Sequence, residues 1–321
     1  MKTIFLAWAK TARRSATLAE FFQARLIILS ALGGTRKKLF PRLSSYVVLG
    51  IKTFFILLKE RPKLIFIQCP PIQIFLPVYL YIKLCSGKYV IDAHSGAFIG
   101  KGFHFPIYLR FLKFFAQRAI ITIIPNEGII KYIANWQIPY YILEDGVPPS
   151  QFPIPNSQIP NSVVVICSFG ADEPIQEIIE ASKLLPEVQF YITGDVPKSA
   201  SGGLKFTGFL KEKDYVDLIR QVDLVCVLTT RPDTILCGAY EGLALEKPLV
   251  LSDSETLRHH FPMGVVWVKN QSTAIAQGIK EGLLNLDQLK AEILQLKLQK
   301  IKDWEVRAKT LKEIIQSALN W

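Results

Sequence analysis

Cysteine and histidine are scarce in this sequence, and so is acid in its first half. The five cysteines (Cys69, Cys85, Cys167, Cys226 and Cys237) are odd in number and include no Cys-x-x-Cys pair, and the four histidines stand at no ligand spacing. That argues against a disulfide framework or a zinc site, and no metal is expected; free thiols in a reducing cytoplasm are. Nor is any apolar run clean enough to span a bilayer. The longest charge-free stretch, Leu64 to Ile82, contains Pro70, Pro71 and Pro77, whereas a spanning helix needs about 20 mostly apolar residues with few breaks. It reads as a buried strand, a loop and the start of a helix. Met1 to Ala9 is apolar but short, and no evident cleavage site precedes Lys10, Arg13 and Arg14. It reads as a first strand, not a signal peptide.

Acid is missing from one half only. Residues 1–150 carry six Asp and Glu against 20 Lys and Arg, while residues 151–321 carry 21 against 18. The first half therefore holds the whole excess of a chain with net charge +11. Such asymmetry implies a polyanionic partner for that half: an anionic membrane surface, a lipid pyrophosphate or nucleic acid. The aromatics follow core periodicity and no RNA-binding signature appears, so nucleic acid is not expected. Phe105 to Arg118 is basic and aromatic, with Arg110, Lys113 and Gln117 on one helical face; Ser45 to Lys59 is similar, with Lys52 and Lys59 in register. These helices either pack wholly on a sheet or lie on anionic lipid. Arg36-Lys37-Lys38 adds charge in a loop.

What the chain has in quantity is short apolar, β-branched runs with helical stretches between them. In the first half they are Thr3–Ala9, Arg25–Ala31, Lys63–Cys69, Lys88–Ala93, Ala119–Ile124 and Tyr140–Leu143. In the second they are Ser162–Ser168, Val188–Thr193, Leu204–Thr207, Leu224–Thr229, Pro248–Ser252 and Gly264–Val268. Most do not alternate apolar with polar, which is the pattern of strands buried on both faces. The expectation is α/β, with two doubly wound, Rossmann-like parallel-sheet domains facing a cleft. The first covers residues 1–150 and the second 160–301. Gly146 to Pro160, with five prolines, forms the linker, and residues 302–321 form a last helix that packs back on the first domain.

One segment concentrates polar chemistry: Thr229-Thr-Arg-Pro-Asp-Thr-Ile-Leu-Cys-Gly-Ala-Tyr-Glu-Gly-Leu-Ala-Leu-Glu-Lys-Pro-Leu-Val. It reads as strand, polar loop, helix, tight turn and strand. A helix starting near Thr234, Ile235 and Leu236 would offer free backbone N–H groups to a diphosphate. Arg231 could pair with phosphate oxygens in forked geometry. Asp233 is either a hydroxyl acceptor or an N-cap, and Glu241 either a ribose contact or a solvated helix residue.

The segment resembles the signature of GT-B glycosyltransferases, particularly the family 4 group, with two acids ahead of a Gly-x-Pro-Val-like turn. It departs from that signature twice. Asp233 stands where Glu is usual, and Glu246-Lys247-Pro248 lacks the glycine. Further pieces follow in order. Glu144-Asp-Gly-Val resembles the Asn-Gly-Val element that ends the first domain. Tyr191-Ile-Thr193-Gly194-Asp195 resembles the strand and turn lining the base pocket, and Phe206-Thr-Gly-Phe209 with Asp214-Tyr215 the next strand and helix. Trp304-Glu-Val-Arg-Ala308 resembles the crossing-back helix. Some details are also similar to β-mannosyltransferases acting on dolichol-linked chitobiose: Pro70-Pro71, Asp92-Ala-His94 and the stretch from Phe206 to Asp233. The resemblance implies a nucleotide-sugar donor held by the second domain through Ser168, Thr193, Gly194, Thr229, Arg231, Asp233 to Leu236 and Glu241. It implies no metal and no other cofactor. A Gly-Arg loop and a nearby Lys usually bind the donor diphosphate, but here the loop is Ser168-Phe-Gly-Ala-Asp-Glu-Pro174. That leaves Arg231, Lys198 or first-half cations to do so, or else an impaired enzyme kept as a binding subunit.

In the first half, Arg13, Arg14 and Ser15 after the first strand are candidate acceptor or phosphate ligands, the alternative being solvated surface residues. His94 ends the strand Lys88–Ala93 and is the catalytic candidate, either as general base or as donor-sugar contact; a hydrogen-bonded structural histidine is the alternative. Asn126 and Glu127 are weaker candidates. A metal-dependent GT-A transferase would need an Asp-x-Asp, and Ser252-Asp-Ser254 lacks it. A dehydrogenase would need a Gly-x-Gly-x-x-Gly after a strand, and none occurs. Gly96-Ala-Phe-Ile-Gly-Lys101 is one residue short of a P-loop. A sugar-nucleotide epimerase stays open. The acceptor expected is lipid-linked or a polysaccharide precursor, met by a peripheral protein on the cytoplasmic face of a membrane.

Overall fold

The computed structural model describes residues 1–9, 12–30, 39–100, 102–149, 158–196 and 204–319, with backbone only over 39–44. Lys10, Arg36 to Lys38, Lys198 and part of the Pro-rich segment lie outside the described residues. The chain forms two compact units, Met1–Asp145 with Trp304–Trp321, and Gly146–Asp303.

All twelve apolar runs are strands. The first unit carries β1 (Thr3–Ala7), β2 (Arg25–Ile28), β3 (Leu64–Cys69), β4 (Lys88–Ala93), β5 (Thr122–Ile124) and β6 (Tyr140–Ile142). They pair in the order β2-β1-β3-β4-β5-β6, every pair parallel. Its helices are α1 (Arg13–Phe21), α2 (Leu39–Glu60), α3 (Phe75–Cys85), α4 (Phe105–Ala116) and α5 (Ile130–Ile133). Leu49, Leu57, Val78, Leu112 and Ile133 place α2 to α5 on one side of the sheet. Leu18 and Ala19 of α1, with Ala308, Leu311 and Ile315 of the final helix, cover the other. Coverage on both faces is why β3 and β4 are almost continuously apolar.

The second unit has β7 (Ser162–Val165), α6 (Ile175–Lys183), β8 (Gln189–Thr193), β9 (Lys205–Gly208), α7 (Glu212–Gln221), β10 (Leu224–Val227), α8 (Cys237–Ala244), β11 (Leu249–Ser252), α9 (Glu255–His260), β12 (Val265–Val268) and α10 (Ser272–Leu284). The order β12-β11-β10-β7-β8-β9 is that of a Rossmann sheet. Helices α6 and α10 cover one face, and α7, α8 and α9 the other. Helix α8 lies close on its sheet: a Cβ at Gly238 would come within 2.8 Å of Ile166, and one at Gly242 within 2.5 Å of Leu249.

The last helix is longer than the sequence reading allowed. α11 runs unbroken from Leu286 to Leu319. Leu289, Ile293 and Leu296 pack in the second unit's core, and Ala308, Leu311 and Ile315 in the first unit's. Twelve residues separate Leu296 from Ala308, which turns the apolar face by about 120° at 100° per residue. That phase change makes one helix read as if it began near residue 302. Among the described residues no helix is long and apolar enough to cross a membrane.

Candidate functional site

Ligands of open parallel sheets bind beyond the carboxyl ends of the strands, where the strand order reverses. In the second unit that point lies between β7 and β10, and a polar network fills it. Thr229, just past β10, donates its hydroxyl to Asp172 Oδ2 at 3.0 Å, and its amide to Ser252 Oγ at 2.9 Å. Ser252 Oγ donates to Asn270 Oδ1 at 2.8 Å, and Asn270 Nδ2 returns to the Thr229 carbonyl at 2.9 Å. The Thr230 amide and hydroxyl both donate to the Asp172 carbonyl, at 2.7 and 3.0 Å. These bonds tie the loop after β7 to the loop after β10 and to the ends of β11 and β12.

The acidic loop after β7 is self-satisfied. Phe169 takes a left-handed conformation (φ 57°), so the amides of Ser168 and Gly170 converge. The carboxylate between them is Glu173, 3.0 Å from the Ser168 amide and 2.6 Å from that of Gly170, with the Ser168 hydroxyl at 3.3 Å. Converging amides of this kind form an anion-binding nest, and here the chain's own carboxylate fills it. Arg231, the expected phosphate cation, pairs with Asp172 at 3.0 Å while its side chain stays half exposed. Thr193 ends β8 beside this loop and Gly194 follows it. Gly194 has φ 94°, and a Cβ there would lie 2.4 Å from the Cys167 carbonyl, so only glycine fits. Burial pushes the Cys167 thiol up to about 12, which keeps it protonated.

The segment 233–236 differs from its expectation. Helix α8 starts at Cys237, with Leu236 as its N-cap. Thr234, Ile235 and Leu236 therefore precede the first helical turn, and Leu236 is extended. Asp233 is nearly buried in a left-handed turn (φ 52°) and lies 3.5 Å from the Thr256 hydroxyl, so it is not the helix cap. Thr234 bonds back to the Pro232 carbonyl at 3.0 Å. Glu241 lies one turn into α8, half-buried, and accepts a short hydrogen bond from the Tyr215 hydroxyl. Tyr215 is a neighbour the sequence reading missed as a functional partner. Glu246 occupies the turn where the signature has glycine, with φ 58°. Lys247 points inward to the Val222 carbonyl at 2.7 Å, and burial lowers its pKa to about 8, with Lys290 adding to the shift.

In the first unit the reversal lies between β1 and β3. The candidates Arg14 and Ser15 are here, but inside the protein. Arg14 donates through Nε to Asp92 at 2.8 Å, through one terminal nitrogen to Asp145 at 2.6 Å, and through the other to the Leu143 carbonyl at 2.8 Å. Ser15 is fully buried and bonds Gln68 at 2.8 Å. Burial against partners of the protein's own departs from the reading of both as anion ligands: they lock α1 to β3, β4 and the chain beyond β6. Arg13 is on the surface. Asn126 is buried and Glu127 half-buried at the end of β5.

Asp92 supports His94. The His94 ring Nε2 sits 3.3 Å from Asp92 Oδ2, and its side chain is one-third exposed. Burial pushes the Asp92 carboxyl up, but the Arg14 charge and the His94 contact outweigh it and hold the pKa at about 2. An ionised carboxylate on Nε2 fixes that nitrogen as the donor and leaves Nδ1 as the basic one. Cys69-Pro70 and Pro70-Pro71, both cis, end β3 beside this strand, and the His94 amide donates to the Cys69 carbonyl at 2.9 Å. Among the described residues no three His, Cys, Asp or Glu side chains gather as a metal site.

No family model matches the chain, and no curated protein matches it by sequence. Solved structures do match its fold. Sucrose-phosphate synthase from Thermosynechococcus elongatus superposes with a TM-score of 0.74 at 12% identity, over 99% of each chain. Anabaena HepE, solved with UDP and glucose, gives 0.69 at 13% identity, over 99% of this chain and 100% of its own. A Listeria monocytogenes protein named for UDP-N-acetylglucosamine 2-epimerase gives 0.62 at 10% identity, over 100% and 97%. The chain therefore has the two-domain Rossmann-like GT-B fold. The resemblance to dolichol-linked chitobiose mannosyltransferases gains no support from these comparisons.

Proposed function

We propose that the protein is a glycosyltransferase that takes sugar from a nucleoside-diphosphate donor. The observation that carries this is the polar network at the strand-order reversal of the second unit, with the Tyr215-Glu241 pair on the following helix. Backbone amides, hydroxyls and one half-exposed arginine suit a diphosphate, and Glu241 suits a ribose diol. The fold shared with HepE, solved with UDP and glucose, supports a sugar-nucleotide donor. In the reaction the anomeric carbon loses its bond to the donor phosphate and gains one to an acceptor oxygen. The nucleoside diphosphate leaves, and the acceptor proton passes to a base. We assign that base to His94, through Nδ1, with Asp92 holding the ring. No metal or further cofactor belongs to this reading. The acceptor is a lipid-linked glycan or polysaccharide precursor, reached at the inner face of a membrane, a reading supported by the basic first half.

The test is thermal stabilisation by a panel of UDP-, GDP- and ADP-sugars, for the native chain and Glu241→Ala. Ligand at a hundred times its Kd stabilises by about 2.7 kcal/mol. One base class is expected to raise the melting temperature by several degrees, and the variant to lose most of that rise. A second reading, a binding subunit without turnover, is favoured by the carboxylates of Asp172 and Glu173 already occupying Arg231 and the nest. A panel that shifts nothing selects that reading. Inversion at the second carbon of a UDP-sugar without acceptor would select an epimerase.

A further inference from the structure

Helices α2, α3 and α4 lie side by side on one face of the first sheet: α2 packs on α3, and Tyr79 of α3 meets Phe114 and Phe115 of α4, each at 5.9 Å between ring centroids. Their inward residues form one core. Their outward sides should be polar, as on an ordinary surface helix. Instead each presents an apolar stripe at helical spacing. On α2 it is Val47, Val48, Ile51 and Phe55, the last 64% exposed. On α3 it is Leu76, Leu80 and Leu84, up to 70% exposed, and on α4 Ile107, Phe111 and Phe114.

Cations stand among these stripes. Lys52, Lys59, Lys83 and Arg110 are exposed on the same three helices. The three helices contain a single carboxylate, Glu60, and it is bound by Lys2 at 2.6 Å and Arg25 at 2.7 Å. The face thus offers apolar side chains and positive charge, with no acid left to balance it.

We propose that the α2–α3–α4 face is a docking surface for an anionic lipid bilayer, with the apolar stripes entering the interface and the lysines and arginine meeting headgroups. Charge selects lipid: a second copy would bring this basic face against itself, with like charges opposed. Among the described residues no helix is long and apolar enough to cross a membrane, so the docking proposed is of helices lying on the bilayer. The inference deepens the acceptor half of the proposed function and rests on it for its purpose.

The experiment is co-sedimentation with vesicles of phosphatidylcholine alone or mixed with phosphatidylglycerol. It compares the native chain with Phe55→Ser/Leu80→Ser/Phe111→Ser and with Lys52→Glu/Lys83→Glu/Arg110→Glu. Circular dichroism shows that each variant is folded, as expected for exposed positions. The native chain is expected to sediment with the anionic vesicles only, and less at high salt. Each cation removed is expected to weaken partitioning about fivefold, and the apolar variant to lose it. A native chain that stays in the supernatant overturns the proposal. So does binding that neither variant weakens, or a dimer in analytical ultracentrifugation that the apolar variant abolishes. Failure is separable from failure of the proposed activity. Nucleotide-sugar stabilisation without vesicle binding refutes this face alone, and vesicle binding without any nucleotide effect keeps the face and refutes the transferase.

Discussion

The two units place polar groups at the same topological position and use them in opposite ways. In the first unit Arg14, Ser15, Gln68 and Asp92 are buried and engaged with one another or with the chain around them, while His94 still meets solvent. In the second, Thr229 and Ser252 are buried in the network, but Ser168, Thr230 and Arg231 are exposed and Glu173 and Glu241 only half-buried. Burial makes the first set a frame: its contacts are costly to break and hold one imidazole in a fixed orientation. Exposure sets the rim of the second set apart: on the proposed reading an incoming anion displaces Glu173 from the nest or Asp172 from Arg231, contacts that exposed groups give up at little cost.

The comparison breaks first at Arg14. Removing one partner of a buried pair leaves an uncompensated charge and costs about 3–5 kcal/mol, so Arg14→Ala is expected to lower the denaturant midpoint severely. A loss under about 1 kcal/mol would mean that the frame is not structural. Next is His94→Ala, expected to slow sugar transfer by about a hundredfold or more while leaving the melting temperature nearly unchanged. An equal loss of both would make His94 part of the frame.

A smaller effect follows from Asp92. Its pKa falls from 3.8 unfolded to about 2 folded, so the folded state favours the ionised form. That contribution, about 2 kcal/mol, is complete above pH 4 and disappears as pH falls from about 4 to about 2. Melting temperature against pH should decline over that window more steeply for the native chain than for Asp92→Asn, and parallel curves would contradict the assignment. The smallest effect is expected in the second unit: Arg231→Ala should change stability by less than about 1 kcal/mol, as exposed pairs do.

The strands were legible because burial on both faces writes itself as uninterrupted apolar runs. The strand and turn at Gly194 and the helix that carries Glu241 were legible from their resemblance to a known segment. The frame around Arg14 was not. An arginine in the first turn of a helix looks the same whether solvated or buried, and its partners Asp92 and Asp145 lie 78 and 131 residues further on. Helix α8 begins at Cys237, just past the Thr234–Leu236 segment where the sequence suggests it, and the left-handed turn at Asp233 ahead of it is one its residue type permits but does not announce. The filled nest was hidden for a similar reason. The sequence shows an acidic loop without cations, and only the positive φ of Phe169 turns two amides onto the Glu173 carboxylate.

The most direct test is calorimetric binding of UDP, GDP and ADP to the native chain, Glu241→Ala and Glu173→Gln. The account expects one nucleotide to bind, Glu241→Ala to weaken it by about tenfold or more through loss of a charged hydrogen bond, and Glu173→Gln to tighten it by removing the competing charge from the nest. Binding of none of the three to any of these proteins would contradict the donor site, and with it the assignment of the exchangeable half of the molecule.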